Sequence, residues 1–473
     1  MTISSTDLFT VVQPTVPLAD PHVLSDIRDR RSIIDAIFDA LVRRNDEGEF
    51  IPWLAESWSV EDDCRRWCFQ LRAGVRCHNG AILTAFDAQA SLLRALSPEM
   101  PGELGTQGVL RSYLQHATVT VADNGALTID NPEPFADLLD LLVDIAIVPA
   151  DSLHALPQQP IGSGPYQFAE QQPGRITLHA FDDHWAGKPP AATLVWLAEP
   201  DAVQRQALFA RGEADLLVDP LFEPAGAEHI VSQRSYLCII FLLNLFEGAT
   251  QDVRVRKALN YAVNRQAIIA HPQIAQGHAR PLAGPLTARH SVIPQDVQPY
   301  RYDPNAARQL LADAGYASGL KLSLALPARF PDESIVLARH IAEELQAVGV
   351  TVDLTIYEDR PAYAQRVRDK QFGDIACFDS SPASGWRIYR EKLDSRQQGP
   401  WWQGYHSEAL NALLDRAAAT ADGDQRAAIM RQAFTQVHDD APWLFLYAPD
   451  HRWALGEKAR GWHPCAEGRV RIL

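Results

Sequence analysis

The stretch Pro160-Ile161-Gly162-Ser163-Gly164-Pro165-Tyr166 decides how the chain is read. Its two prolines fix the backbone at either end, and its two glycines permit backbone angles closed to other residues. A joint of this kind, set between two long regions that can each build a core, reads as the point where an excursion returns to its parent domain. A polar-aromatic strand follows through Phe168 to Phe181, and then the run Asp182-Asp183-His184-Trp185-Ala186-Gly187-Lys188-Pro189.

The chain around this joint has 473 residues, room for about three domains at ~150 residues each. Its 47% hydrophobic and 22% charged residues are ordinary for a globular protein. A formal charge of -16 disfavours nonspecific binding to nucleic acid or anionic membranes. The longest apolar run, Tyr236 to Phe246, falls short of the ~20 residues that span a bilayer. The start, Met1 to Asp7, has no basic residues and no apolar signal core. The expectation is therefore a cytoplasmic protein if the sequence is complete as written, or a periplasmic or cell-envelope protein whose leader has been removed. The six cysteines (Cys64, Cys68, Cys77, Cys238, Cys377 and Cys465) form no CxxC pair. Cys68, Cys238 and Cys377 sit in apolar runs as small hydrophobes, and free thiols fit a reducing compartment. Cys64, Cys68, Cys77 and His78 do not match the ligand spacings of a metal cluster.

Periodicity places a strand at Leu8 to Val12, a helix from Leu24 to Leu41, a turn at Asp62-Asp63 and a strand from Trp67 to Leu71. Gly74 to Gly80 reads as a further short strand and turn. Thr84 with Asp87 predicts a capping box, opening a helix whose one face carries Phe86, Ala90 and Leu93. Glu99 to Gln107 reads as loop, His116 to Val121 and Ala126 to Ile129 as strands, and Phe135 to Ile147 as an apolar helix. Beyond the joint come a strand at Thr193 to Leu197, a helix at Asp201 to Arg211 and a buried strand at Tyr236 to Asn244. Asp252 caps a long helix predicted to run from Val253 to Ala270. Asp303-Pro304 opens another that ends at Gly315. Strands at Leu320 to Leu326 and Thr351 to Tyr357, with a helix between them, suggest an α/β lobe. Helices at Ser407 to Ala419 and Asp424 to His438 precede a strand at Trp443 to Tyr447.

Catalytic signatures are sparse. GxGxxG, GxxxxGK, HExxH and GxSxG are all missing, and Ser318-Gly319-Leu320-Lys321 matches SxxK by letters only. The 15 histidines are scattered without ligand spacing. No catalytic residue, metal site or cofactor is predicted. The chain does carry a dense set of aromatic and charged residues between Tyr357 and Tyr405, among them Arg360, Tyr363, Arg366, Asp379, Trp386, Arg387, Tyr389, Arg390, Trp401 and Trp402. Loops of this composition are usual at binding surfaces.

Several ordered motifs together resemble the family 5 solute-binding proteins of ABC importers, the oligopeptide, dipeptide and nickel binders. Leu54-Ala55-Glu56-Ser57-Trp58 is similar to the family's LAESW segment. Phe69 to Gly80 resembles its F-x-LR-x-G-V-x-F-HDG hairpin with Cys77 in place of Phe, and Thr84-Ala85-Phe86-Asp87 its TAEDV. Pro160 to Tyr166 is similar to PIGTGPY with Ser163 for Thr. Val253 to Ala262 resembles VRVRQALNYA, and Tyr302 to Tyr316 resembles YDPEKAKKLLAEAGY. Ala180-Phe181-Asp182-Asp183 departs from the usual R-N-P-x-Y. It is similar instead to the solute-binding half of sugar-phosphate-stress transcription regulators, without their winged helix, so DNA binding is not implied.

The resemblance implies an α/β, two-lobed, periplasmic-binding-protein-like clamshell of type II, cluster C, with an extra α+β domain inserted in the first lobe. Residues 1–32, 161–236 and 443–473 would form lobe I, 33–160 the inserted domain, and 237–442 the ligand-binding lobe II. The solute would bind between the lobes and be enclosed by a hinge motion. Asp379 would pair with a peptide's ammonium group, and Arg366 would take its carboxylate through a bidentate guanidinium. Trp386, Arg387, Tyr389, Trp402 and Tyr405 complete the expected ligand-binding set. The implied function is non-enzymatic. A monomeric binding protein would present a peptide or peptide-like solute to ABC permease subunits, with no nucleic-acid partner. The alternative is a cytoplasmic sensor-like relative that binds a small metabolite; an enzyme on the same fold is a third reading.

Overall fold

A computed structural model describes residues 6–23, 27–61, 63–101, 109–329 and 333–473. The first residues of the helix expected from Leu24, Asp62 of the expected turn and the loop residues 102–107 lie outside the described residues. Contacts divide the rest into two compact units, one of residues 6–101, 109–233 and 451–473, the other of 234–450.

In the first unit the strand Thr6–Gln13 lies parallel to Ala191–Ala198 on one side and Leu216–Val218 on the other. Arg175–Ala180 and Tyr166–Gln172 extend the sheet as an antiparallel hairpin, and on the other side it continues through residues 453–455 at the end of Trp443–Leu455, with which His229–Arg234 pairs in turn. The expected single strand through Phe181 is thus two, turned at Gly174, whose positive φ favours glycine. A separate four-stranded sheet orders Ala55–Glu61, Arg66–Leu71, Leu127–Asp130 and Thr118–Val121. Phe9, Val11, Tyr166, Trp196 and Trp453 form the main core, all at most 1% exposed.

The joint at 160–166 packs against the helix Arg28–Ile37. The Gly164 N–H donates to the Ile37 carbonyl at 3.0 Å. His78 N–H donates to the Gly162 carbonyl at 2.9 Å. The His78 ring spans both glycines, Nε2 donating to Gly164 O at 3.0 Å and Nδ1 accepting from Gly162 N–H at 3.2 Å. Burial holds this imidazole at a pKa of about 4, so it stays neutral and keeps both bonds. Neither glycine has a positive φ, so the freedom they permit is not used here. What they supply is space. A Cβ at Gly164 would stand 2.5 Å from the Ile37 carbonyl carbon and 2.8 Å from Ala36 O, and one at Gly162 would overlap the Ile37 oxygen.

Every residue from Asp29 to Ile37 is buried, charges included. Such charges persist only with partners. Asp35 has three: Arg471 at 2.9 Å, Arg469 at 3.3 Å and Arg31 at 3.5 Å. Asp144 joins Arg469 at 2.5 Å and Arg31 at 3.2 Å. Burial alone would raise the Asp35 carboxyl, but the guanidiniums of Arg469, Arg471 and Arg31 outweigh it and hold the group well below the usual range. Asp144 is held by these ion pairs, and Ile147 N–H donates to Asp39 O at 2.8 Å. The helix expected over Phe135 to Ile147 is accordingly only Leu138–Leu142.

The capping box at Thr84 forms, with Thr84 N–H donating to Asp87 at 2.7 Å. The face of helix Ala85–Ala95 that carries Phe86 and Leu93 points outward, however; these are 64% and 49% exposed, while Ala88, Ser91 and Leu92 face the core. Gly74 to Gly80 contributes only an isolated bridge between Arg76 and Ile82.

In the second unit, Leu320–Pro327 is flanked by two parallel strands, Val350–Tyr357 and Ile375–Ser380. Cys238–Leu243, buried throughout, follows antiparallel and pairs in turn with residues 443–447. The helix expected from Val253 to Ala270 is two, Val253–Ala262 and Arg265–Ala270. Asn264 caps the second by accepting from Ala267 N–H, and buried Arg265 donates to Asn260 O at 2.9 Å and Phe445 O at 2.7 Å. Arg265 also donates to Val263 O at 3.2 Å, so it occupies two carbonyls at the break, where the first helix ends.

Two outcomes follow. Gly164→Ala should lose about 3 kcal/mol or more of stability, because backbone rather than a flexible side chain blocks the methyl; urea unfolding measures it. Asp35→Asn should cost about 3 kcal/mol at neutral pH by leaving buried guanidiniums unanswered. A depressed carboxyl stabilises above its unfolded pKa and loses that effect as pH falls. The gap between wild type and variant should therefore shrink below about pH 4.

Candidate ligand-binding site

The parallel strands Leu320–Pro327 and Val350–Tyr357 end level, Pro327 pairing with Tyr357, and Ile375–Ser380 runs two residues further. The carboxyl edge of such a sheet is where α/β folds place their ligands. Asp379 stands on this edge, opposite Ile239, with Tyr447 opposite the same Ile239 on its other side. Asp379 is an end residue of its strand rather than part of the loop beyond it.

The helix Arg360–Arg368 begins three residues after Tyr357, with Asp359 as its cap, accepting from Ala362 N–H at 3.0 Å. Tyr363 fixes this helix to the sheet, its hydroxyl donating to Cys377 O at 2.6 Å and Ala325 O at 3.1 Å. The first turn then sets Arg360 Nη2 3.5 Å from Asp379 Oδ1, with the two side chains 29% and 34% exposed. Glu333 reaches the same edge and accepts from Tyr447 Oη at 2.5 Å. Burial drives the Cys377 thiol pKa well above normal, and the carboxylates of Asp379 and Glu333 add to the effect. Burial also raises the Asp379 carboxyl, although the charges of Arg360 and Lys392 pull the other way. Trp401 packs its ring 4.9 Å from that of Phe378, and Lys370 donates to the carbonyls of Pro400 and Trp402, tying down the aromatic segment. The result is a half-buried carboxylate and guanidinium at a strand edge, an arrangement suited to polar recognition.

A sequence model described as bacterial extracellular solute-binding proteins, family 5 middle, matches residues 49–379. The chain belongs to this family. It is 30% identical over 441 residues to the dipeptide-binding protein of Escherichia coli K12, covering 84% of this chain and 81% of that one. It is 26% identical over 487 residues to heme-binding protein A of Haemophilus influenzae, covering 93% and 87%. The solved periplasmic binding protein DppA from Helicobacter pylori in complex with the peptide STSA has the same fold, with a TM-score of 0.79 at 22% identity over 96% of this chain and 95% of that one.

Within this family 5 chain the residues singled out from the sequence fall in different places. Asp379 is on the strand edge. Arg366 is exposed in the last turn of its helix, 5.4 Å over the Tyr357 ring. Trp386, Arg387 and Tyr389 are buried on the helix Gly385–Lys392. The Trp386 indole donates to Leu414 O at 2.9 Å, and Arg387 pairs with Glu391 at 3.0 Å. Tyr389 is 0% exposed, and its hydroxyl has no hydrogen-bond partner among the described residues. Trp402 donates to Tyr405 O at 2.6 Å, and the Tyr405 hydroxyl donates to Asp440 at 2.5 Å. Arg360 and Glu333 were not among the expected site residues. The signal for Arg360 was its place directly after Asp359, in a capped first turn that follows a strand.

A carboxyl whose folded pKa is raised binds its proton more tightly in the fold, so its charged form lowers stability above the unfolded pKa. Asp379→Asn should therefore melt at or slightly above wild type at pH 7, and the two should converge towards pH 3 in scanning calorimetry.

Proposed function

We propose that this protein is the solute-binding component of an ABC importer and takes a peptide or peptide-like solute whose ammonium group pairs with Asp379. The carrying observation is that carboxylate, half-buried at the strand edge 3.5 Å from the Arg360 guanidinium. A charge-assisted hydrogen bond to an ammonium suits a carboxylate in this setting. The dipeptide-binding relative and the peptide-bound structural neighbour support the ligand class. They also support transport over the sensor reading.

The protein acts outside the cytoplasmic membrane as a monomer, without turnover, handing its solute to permease subunits. Asp379 carries recognition, while Tyr357 and Trp401 contribute aromatic surface. Arg387, Tyr389, Trp402 and Tyr405 act mainly by shaping the segment around them.

Native mass spectrometry of the protein purified without refolding tests this. The expected result is a set of adducts at peptide-like masses, lost on denaturation. Asp379→Ala should weaken binding of any such ligand by about 3 kcal/mol, roughly a hundredfold, as expected when one partner of a close charge pair is removed. Unchanged affinity in calorimetry would refute the assignment.

A further inference from the structure

We propose that the outer face of the helix Ala85–Ala95 is a docking surface for a basic amphipathic helix of another protein, separate from the solute site. This helix is apolar on two sides. Ala85, Ala88, Leu92 and Ala95 enter the core, and Ser91 is buried with them. Phe86, Ala90 and Leu93 recur at helical spacing on the opposite side. Phe86 is 64% exposed and Leu93 49%, and Ile82, four residues ahead of Phe86, is 47% exposed. A helix that is apolar all round is normally covered on both sides. Its two charges do not interrupt the outer stripe, because both are engaged along one flank. Asp87 accepts from Thr84 N–H at 2.7 Å and Ala150 N–H at 2.8 Å, and Arg94 pairs with Asp20 at 2.5 Å.

Shape and charge identify the occupant. Phe86 and Leu93 are separated by about 10 Å along the helix axis, with the small Ala90 between them. A gap of that size takes one large side chain of a facing helix. The surroundings are acidic. Asp151 is exposed on the Asp87 flank, in the short turn Ala150–Ala155. On the other flank Gln89 donates to Val119 O at 2.8 Å, and Asp123 is exposed just past that strand. Glu99 is exposed four residues beyond the helix. Arg76, exposed and bridged to Ile82, is a cation at the stripe's near end. The wider balance is nevertheless strongly negative: residues 33–160 hold 19 acidic and 8 basic side chains, and no lysine precedes Lys188. A second copy of this chain would bring the same acids against these acids. A helix with arginine or lysine beside an apolar stripe matches both the stripe and its flanks.

Fluorescence anisotropy with the full chain tests the proposal. The probe is a labelled peptide of about 14 residues, or four helical turns, with leucine on one face and arginine on the other. It is acetylated and amidated, so that it brings no ammonium to Asp379. The expected result is binding that weakens about tenfold or more in the Phe86→Ser, Leu93→Ser double variant. Ala90→Arg, which closes the gap with a cation, should weaken it likewise, and Asp379→Ala should leave it unchanged. Replacing the probe's arginines by glutamate should abolish binding. The substituted helix positions face outward, so both helix variants should keep the wild-type melting temperature in circular dichroism. No binding by the wild type, unchanged binding in the helix variants, or equal binding of the glutamate probe overturns the proposal. Weakening by Asp379→Ala would put the probe in the solute site and overturn it too. Dimerisation of the wild type in sedimentation, lost in the double variant, would make the occupant a second copy and overturn the basic partner.

Discussion

The closest constraint in the first unit is one of distance. The backbone at residues 162–164 runs so near the end of the first helix that the Ile37 carbonyl fills the space where side chains would begin. The approach sets the position of Asp39, two residues further on. Its buried carboxylate accepts from Trp53 Nε1 at 2.6 Å, Ser163 Oγ at 2.9 Å, Arg43 at 3.0 Å and Trp185 Nε1 at 3.1 Å. The strand Val42–Arg44, the residue after its partner strand Phe50–Pro52, the joint and the 182–189 loop therefore meet on one side chain. Burial would raise that carboxyl; the His184 contact and the Arg43 charge keep it ionised. A buried anion satisfied from four directions specifies one arrangement, because any shift leaves it short of a donor.

In the second unit the same electrostatic rules operate with less closure. Asp379 has a cation beside it but remains partly open, and its carboxyl is raised rather than lowered. Asp35 and Asp379 thus mark two uses of one residue type. The first is surrounded by guanidiniums and holds structure; the second stays partly exposed at a strand edge. The difference comes from how many cations the surrounding elements supply.

Much of the fold was legible in the sequence because its signals are local. The Thr84 box, the Asp252 and Asp303 caps, and the apolar run at 238–243 depend on neighbours in the chain and appear where expected. The misses share a long-range cause. Helical periodicity continues through Asn264 and Arg265, but Arg265 is drawn to Phe445 O, 180 residues away, and the helix breaks. Phe86 and Leu93 have helical spacing that does not tell which side is the core. The site was half legible. Asp379 could be placed from the motif order, whereas density of aromatic and basic residues did not separate Tyr389, sunk in the core, from Trp401 beside the strand edge. Arg360 was overlooked because its pairing depends on Tyr363 anchoring a helix across two strands.

The ion pairs of Asp35 also have a consequence for biosynthesis. A chain made from its amino end holds Asp35 without Arg469 until 434 further residues have been added. Residues 234–450, by contrast, are continuous in sequence and find their sheet partners among themselves. Domains generally mature in the order their contacts become available. The middle of this polypeptide can therefore consolidate while its earlier portion is still waiting, and the part translated first is the part finished last.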